Sequence, residues 1–417
     1  MPTVMLAPTT VRNTTVTLII KKIAMKHNSI LVFLLFIFAN LLAQEKIIIN
    51  GQLKGVPEGT TISLMKEEGA VGSEVVKDSV VNGRFRIEYT PGEEKTERYS
   101  IRSFDKDFPS MGLNLWAKAG HSITIEGNNK LVYTWNVTSD MPEQKEWSYF
   151  VQANKLLWDQ YQELSVLRKA LSQKVHADNS TALEKKTARA SIDSLDSLSN
   201  VYLYNIHKHN LDLLQNGQMT PVRLEVLNNA ANMIRWNHIE AFRAPVTKLY
   251  NSLAPNLKGA IYGEEIALTL YPPKVVKVGE SMYDTVLTDL HGQVHHLTDF
   301  KGKYILLDFW SFGCGPCHAS VPEMKEISEK LKDSLAIVSL SSDNKKMWKQ
   351  ASEYFKMTWN NFSDGKENRG IYAKYGVKGI PNYVLITPNG LIKDIWMGYD
   401  NGSLKSKIKE LTNLSVN

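Results

Sequence analysis

The chain has 417 residues, 43% of them hydrophobic and 22% charged, the make-up of a globular protein with two or three folding units. Its formal charge of +6 falls to +2 once Arg12, Lys21, Lys22 and Lys26, all within the first 43 residues, are set aside. No Lys/Arg-rich run occurs elsewhere, so the balance excludes a nucleic-acid partner.

The first segment reads as an export signal. Lys21, Lys22 and Lys26 precede the apolar run 30–38, and 39–43 ends on the small residue Ala43 before Gln44. The run falls short of the ~20 apolar residues of a membrane-spanning helix, so membrane contact is expected only through this signal. Met25 opens a better-shaped signal than Met1, which makes 1–24 an upstream extension of the reading frame. No cysteine near the cleavage site offers a lipid anchor. The expected location is the periplasm or cell envelope.

Residues 45–137 carry short runs rich in Val, Ile, Thr and aromatics, centred on Ile62, Val75, Phe85, Ser100, Leu115 and Thr124 and separated by turn residues. Asn82-Gly83 is a hairpin signal, since both positions tolerate the positive φ of a type I′ turn. This is expected to be an antiparallel β-sandwich with no catalytic cluster. From 142 to 260 the period changes to that of helices. Leu157, Tyr161, Leu164, Leu167, Leu171 and Val175 form one stripe, and Ile192, Leu195, Leu198, Tyr202 and Ile206 another; both are expected to be core. Residues 178–181 have loop and N-cap chemistry, a third helix follows Pro221, and Pro245 limits a fourth. His207, His209 and His238 lack partners at ligand spacing, so they read as core or solvated residues.

Tyr271-Pro272-Pro273 is a linker. Beyond it strands and helices alternate: a hairpin over 285–297, a buried strand at 304–309, a helix to about 331, a strand at 336–340, helices near 345–356 and 368–375, two strands at 383–387 and 391–397, and a last helix from 403. The expected architecture is multidomain, with the β-sandwich, the helical region and an α/β unit over 272–417.

The only two cysteines stand in Cys314-Gly315-Pro316-Cys317. Structural disulfides in an exported protein would be more numerous and join distant cysteines, so this pair reads as redox-active. Placed directly after a buried strand, Cys314 falls at a helix N-terminus, where free N–H groups and the helix dipole stabilise a thiolate. Cys314 is then the attacking sulfur, and Cys317, one turn on, resolves the mixed disulfide. Pro316 is compatible with the first helical turn. The alternative is half a zinc site completed from His291, His295, His296 or His318, but a zinc ribbon needs a second cysteine pair. No metal and no cofactor is expected.

The run from Asp308 through Phe309, Trp310, Ser311, Phe312 and Gly313 to the cysteines resembles the active-site segment of thioredoxins. Pro322 matches the proline that kinks the active-site helix in that family. Tyr375-Gly376-Val377-Lys378-Gly379-Ile380-Pro381 matches its second signature, and Asn389-Gly390 and Gly398 fall at its last hairpin. With the export signal and the added hairpin, 272–417 is most similar to the TlpA/ResA-like branch of secreted thioredoxin-like proteins, which share the AhpC/TSA-type thioredoxin fold. Residues 45–260 more loosely resemble the N-terminal region of unknown function that precedes such domains in exported bacterial proteins.

That resemblance implies roles. Asp308 would be the buried carboxylate exchanging a proton with Cys317, and Pro381 the cis proline facing the cysteines. Ile380 would pair its backbone with a bound partner, and Trp310, Gly315 and Pro316 would contribute to the substrate face. Two departures stand out. Gly313 replaces the tryptophan common before the first cysteine, and Ser339 falls where thioredoxin has a lysine near the buried carboxylate. The implied function is a thiol–disulfide oxidoreductase acting on oxidised protein disulfides. The Gly-Pro pair is thioredoxin's, at about −270 mV, which implies the reducing direction, a membrane thiol-electron donor, and substrates that include apocytochromes. One rival is a thiol peroxidase, whose Pro-x-x-x-(Ser/Thr)-x-x-Cys pattern fits Ser311 but finds Leu307 in place of the proline. The other is an envelope protein-binding module with a secondary redox domain.

Overall fold

The computed structural model describes residues 45–68, 71–92 and 95–416. The expected export signal at 1–43 lies outside the described residues. The first eight strands are β1 (Ile47–Leu53), β2 (Thr61–Glu68), β3 (Val71–Ser79), β4 (Arg84–Tyr89), β5 (Glu97–Arg102), β6 (Leu113–Ala117), β7 (Ser122–Gly127) and β8 (Asn136–Thr138). They form two four-stranded sheets, ordered β4-β1-β7-β8 and β3-β2-β5-β6. Alternate residues point inward, so Ile47, Ile49, Ile87, Ile123 and Ile125 of one sheet share a core with Ile62, Leu64, Tyr99 and Ile101 of the other. Gly51 pairs with Phe85 across the ladder, and a Cβ there would lie 1.8 Å from the Phe85 ring, so only glycine fits. The turn into β4 has Asn82 and Gly83 at φ 52° and 68°, the type I′ signs, between the bridged Val81 and Arg84. One pair departs from the antiparallel expectation: β1 and β7 run parallel.

Seven helices follow: α1 (Pro142–Ala153), α2 (Lys155–His176), α3 (Ala182–Leu214), α4 (Pro221–Asn237), α5 (Arg243–Asn251), α6 (Pro255–Lys258) and α7 (Ile261–Leu270). Thr181 and Glu184 close a reciprocal capping box at the start of α3. Thr220 caps α4 ahead of Pro221. Pro245 lies inside the first turn of α5, where a missing N–H is harmless, rather than ending it. Helix α4 is buried along most of its length and centres the helical core. The two stripes are only partly core. Buried residues of α2 are Trp158 and Gln162, while Leu167 of α2 and Leu198 of α3 stay 54% and 42% exposed. Sheet and helices are tied at β5 and α4, where Arg98 pairs with Glu225. The same guanidinium lies 5.6 Å from the Trp116 ring centre and 5.3 Å from that of Trp147.

The remaining chain holds β9 (Leu287–Thr288), β10 (Val294–His295), β11 (Tyr304–Trp310), α8 (Gly315–Lys330), β12 (Leu335–Ser341), α9 (Lys345–Phe355), β13 (Asn360–Phe362), α10 (Ile371–Lys374), β14 (Asn382–Ile386), β15 (Ile392–Met397) and α11 (Ser403–Thr412). The sheet order is β13-β12-β11-β14-β15, with β11, β12 and β13 parallel and β14 antiparallel to both its neighbours. This is the thioredoxin fold. The hairpin expected over 285–297 shrinks to two-residue strands, and the helix expected over 368–375 to one short turn. Period two decides what β11 offers each side. Ile305, Leu307 and Phe309 enter one core, and Leu306 the other. Asp308 and Trp310 therefore share the face of Leu306. On that side Glu323 of α8 accepts the backbone N–H groups of Gly402 and Lys405, at 3.0 and 2.7 Å, which anchors α8 to the start of α11.

Candidate redox site

Strand β11 ends at Trp310, and four residues later Cys314 is the N-cap of α8. Its Sγ accepts the N–H of Cys317 at 3.1 Å, a donor that the helix itself leaves unused. The two cysteines are joined in a disulfide, with Cα atoms 5.2 Å apart. Cys314 is 8% exposed and Cys317 3%, while Gly315 and Pro316 between them face solvent. Pro322 lies inside α8. Both sulfurs pack with Trp310, Trp348 and Ala351, and Ile380 reaches the same cluster. The Ile380–Pro381 bond is cis, and the Pro381 carbonyl accepts the N–H of Gly398 at 2.9 Å. Trp310 is 2% exposed, so it packs under the disulfide rather than on the outer face that Gly315 and Pro316 occupy. The surface beside the disulfide is aromatic. Phe312 lies 6.2 Å from both Tyr354 and Phe355, and His318 Nε2 is 2.5 Å from the Phe312 carbonyl.

Asp308 sits two residues before Trp310, opposite Ser339 in β12 and Tyr383 in β14. It is buried, and Oδ2 accepts the Ser339 hydroxyl at 2.7 Å. Ser339 Oγ in turn accepts the Trp359 indole N–H at 2.8 Å. An indole N–H can only donate, so the single hydroxyl proton of Ser339 is left for Asp308. Oδ1 of Asp308 is buried without a hydrogen-bond partner. Burial raises the carboxyl pKa from its ordinary 3.8 to about 7, against the smaller opposing effect of the Ser339 bond. Such a group can take up or release a proton near neutral pH.

A second carboxylate escaped the sequence reading. Asp343, just past β12, accepts the Ser311 hydroxyl at 2.7 Å, the Phe312 N–H at 2.8 Å and the Ser341 hydroxyl at 3.1 Å. It fixes the three-residue loop that aims Cys314. The available signal was positional: an Asp at the C-terminal end of a parallel strand neighbouring the strand that carries the cysteines. Among the described residues no cluster of three or more His, Cys, Asp and Glu side chains is arranged to hold a metal ion.

Residues 302–392 match a protein family described as Thioredoxin-like. The chain is 30% identical over 124 residues to "Thioredoxin-like protein YneN" of Bacillus subtilis, a match covering 30% of this chain and 73% of that protein. It is 34% identical over 125 residues to "Thiol-disulfide oxidoreductase ResA" of Geobacillus thermodenitrificans, covering 30% of this chain and 71% of the relative. Among solved structures, the thioredoxin domain of a thiol-disulfide oxidoreductase from Bacteroides vulgatus is 28% identical and has a TM-score of 0.30. That match covers 33% of this chain and 99% of that one.

Proposed function

Because the chain belongs to the thioredoxin-like thiol–disulfide oxidoreductases that include ResA, and is an oxidoreductase enzyme, we propose that it reduces protein disulfides outside the cytoplasm through Cys314 and Cys317. The observation that carries this reading is the placement of Cys314 Sγ at the N-cap of α8, accepting the Cys317 N–H. In the reduced enzyme that donor and the helix dipole favour the Cys314 thiolate. The thiolate attacks one sulfur of the substrate disulfide, forming a mixed disulfide and expelling the other sulfur as a thiolate. Cys317 then loses its proton to the Asp308 carboxylate and attacks Cys314 Sγ. The second substrate thiolate leaves, and the Cys314–Cys317 disulfide remains. Two electrons have passed to the substrate, and a thiol donor on the membrane restores the dithiol. Pro381 and Ile380 border the groove in which the partner lies, with Gly315 and Pro316 on the open side, and Trp310 supports the cysteines from beneath.

We read residues 1–43 as the export signal, 45–137 as a β-sandwich, 142–260 as a helical scaffold and 272–417 as the catalytic domain. The deciding measurement is the equilibrium reduction potential of the Cys314–Cys317 couple in glutathione and dithiothreitol buffers. A value near about −270 mV supports a reductase, whereas one near about −180 mV or above would make the protein an oxidase or isomerase. In an assay of protein-disulfide reduction, Cys314→Ser is expected to abolish turnover, and Cys317→Ser to accumulate a mixed disulfide with the substrate.

A further inference from the structure

Away from the redox centre, a cavity of about 360 Å³ lies where β6, α1, α2, α3 and α4 converge. Its size is that of a small-molecule site. Rings wall it: Tyr133, Trp147, Phe150 and Trp158 line the interior, and Trp236, itself 57% exposed, marks the open side. One face of α4 supplies Asn229, Asn232 and Trp236, three and four residues apart and hence stacked on one side of the helix.

Two of the lining side chains carry polar atoms that nothing in the protein satisfies. His207 is 8% exposed, and its Nδ1 is buried without a partner. Trp147 is 5% exposed, and its Nε1 is in the same condition. Burying such groups unpaired costs roughly 1–3 kcal/mol each, and both atoms lie behind the cavity wall rather than on its surface. Burial also lowers the His207 pKa to about 4, which leaves a neutral ring with one donor and one acceptor. The asparagine amides likewise offer both. No carboxylate lines the cavity, and its one cation, Arg102, already donates to Ser100 Oγ at 3.2 Å and lies 3.9 Å from Glu67. An anion would find no free cation here, and a wholly apolar ligand would leave the amides unpaired.

We propose that this cavity binds a neutral saccharide, with ring faces against the aromatic walls and hydroxyls bonded to the Asn229 and Asn232 amides. Hydroxyl groups suit the site because each both donates and accepts, as the amides do. A pyranose also presents the flat C–H faces that tryptophan rings cover. The site shares no residue with the redox centre.

The test uses the full-length oxidised protein, titrated with maltose, cellobiose and N,N′-diacetylchitobiose to about 10 mM. Tryptophan fluorescence and calorimetry give the readout, with triglycine amide as a non-saccharide probe. The expected result is saturable binding of at least one disaccharide, weakened at least about tenfold in Trp236→Ala and in Asn232→Ala. Disulfide reduction by the same variants should stay at the wild-type rate. Both residues are incompletely buried, and an unchanged circular dichroism spectrum checks that the variants fold. Failure of all three disaccharides to saturate, binding that both substitutions leave intact, or binding of the peptide amide in their place would each overturn the proposal.

Discussion

Replacing Asp308 by asparagine removes a titration that the fold makes costly. In the native state the carboxyl keeps its proton to about pH 7, whereas in the unfolded chain it loses it near 3.8. Between those values the native protein binds more protons than the unfolded chain, so stability falls as pH rises. This group's contribution is intact below about pH 3.8, and its loss is complete above about pH 7. At about 1.36 kcal/mol per pH unit the window amounts to about 4 kcal/mol, with about 2 kcal/mol already lost by pH 5.5. Asp308→Asn carries no such slope. The difference between variant and wild type should therefore shift in the variant's favour by about 4 kcal/mol from pH 4 to pH 8. Any fixed cost of the new amide N–H groups does not change with pH. Hydrogen exchange of the β11 and β14 amides in the oxidised proteins reads the opening of this sheet without requiring the whole chain to unfold together. A difference that stays flat within about 1 kcal/mol, or moves the other way, would refute the argument that Asp308 is desolvated.

Three further outcomes are expected. Ser339→Ala removes the donor to Oδ2 and should raise the Asp308 pKa further, by about one unit, read from the carboxyl stretch in infrared titration; Trp359→Phe should act in the same direction and less. Asp343→Ala should cost about 1–3 kcal/mol and speed exchange of the Phe312 amide, and unchanged protection there would remove Asp343 from the loop's support. Gly51→Ala forces a methyl into the Phe85 ring and should destabilise the sheets by about 1–3 kcal/mol in thermal unfolding. The reduction potential of the cysteine pair should not move, and a shift would show that the sheets act on the site.

Much of the redox centre was legible because its parts are close in sequence. The cysteine pair, the preceding apolar strand and the Asp308 carboxylate within it fall in one run of fourteen residues, and the proline signature fixes the facing loop. What escaped depends on pairings across the sheet. Asp343 meets Ser311 across 32 residues, and Ser339 meets Trp359 across 20. From the resemblance to thioredoxins Ser339 reads only as a lost lysine. In the fold its hydroxyl gives Asp308 a neutral donor, whose direction is set by an indole on another element. Strand β13 was missed because two of its three residues are asparagines, poor strand formers that the sheet edge accepts. Helix α7 was missed because it is short and its apolar residues, interrupted by Glu264 and Glu265, show little periodicity. The cavity beside α4 could not be read at all, since seven separate segments line it.

The Arg98–Glu225 pair sets a limit on how this chain can be taken apart. An expression boundary near residue 140 looks convenient, since strands end and helices begin there. It would strand a half-buried guanidinium on an exposed sheet and, in the other fragment, leave a deeply buried carboxylate on α4 without its counter-ion. Breaking such a pair from one side commonly costs about 3–5 kcal/mol, a large part of a small unit's stability. The two halves are thus better treated as one cooperative piece than as beads on a string, and any dissection should cut after α7 rather than before α1.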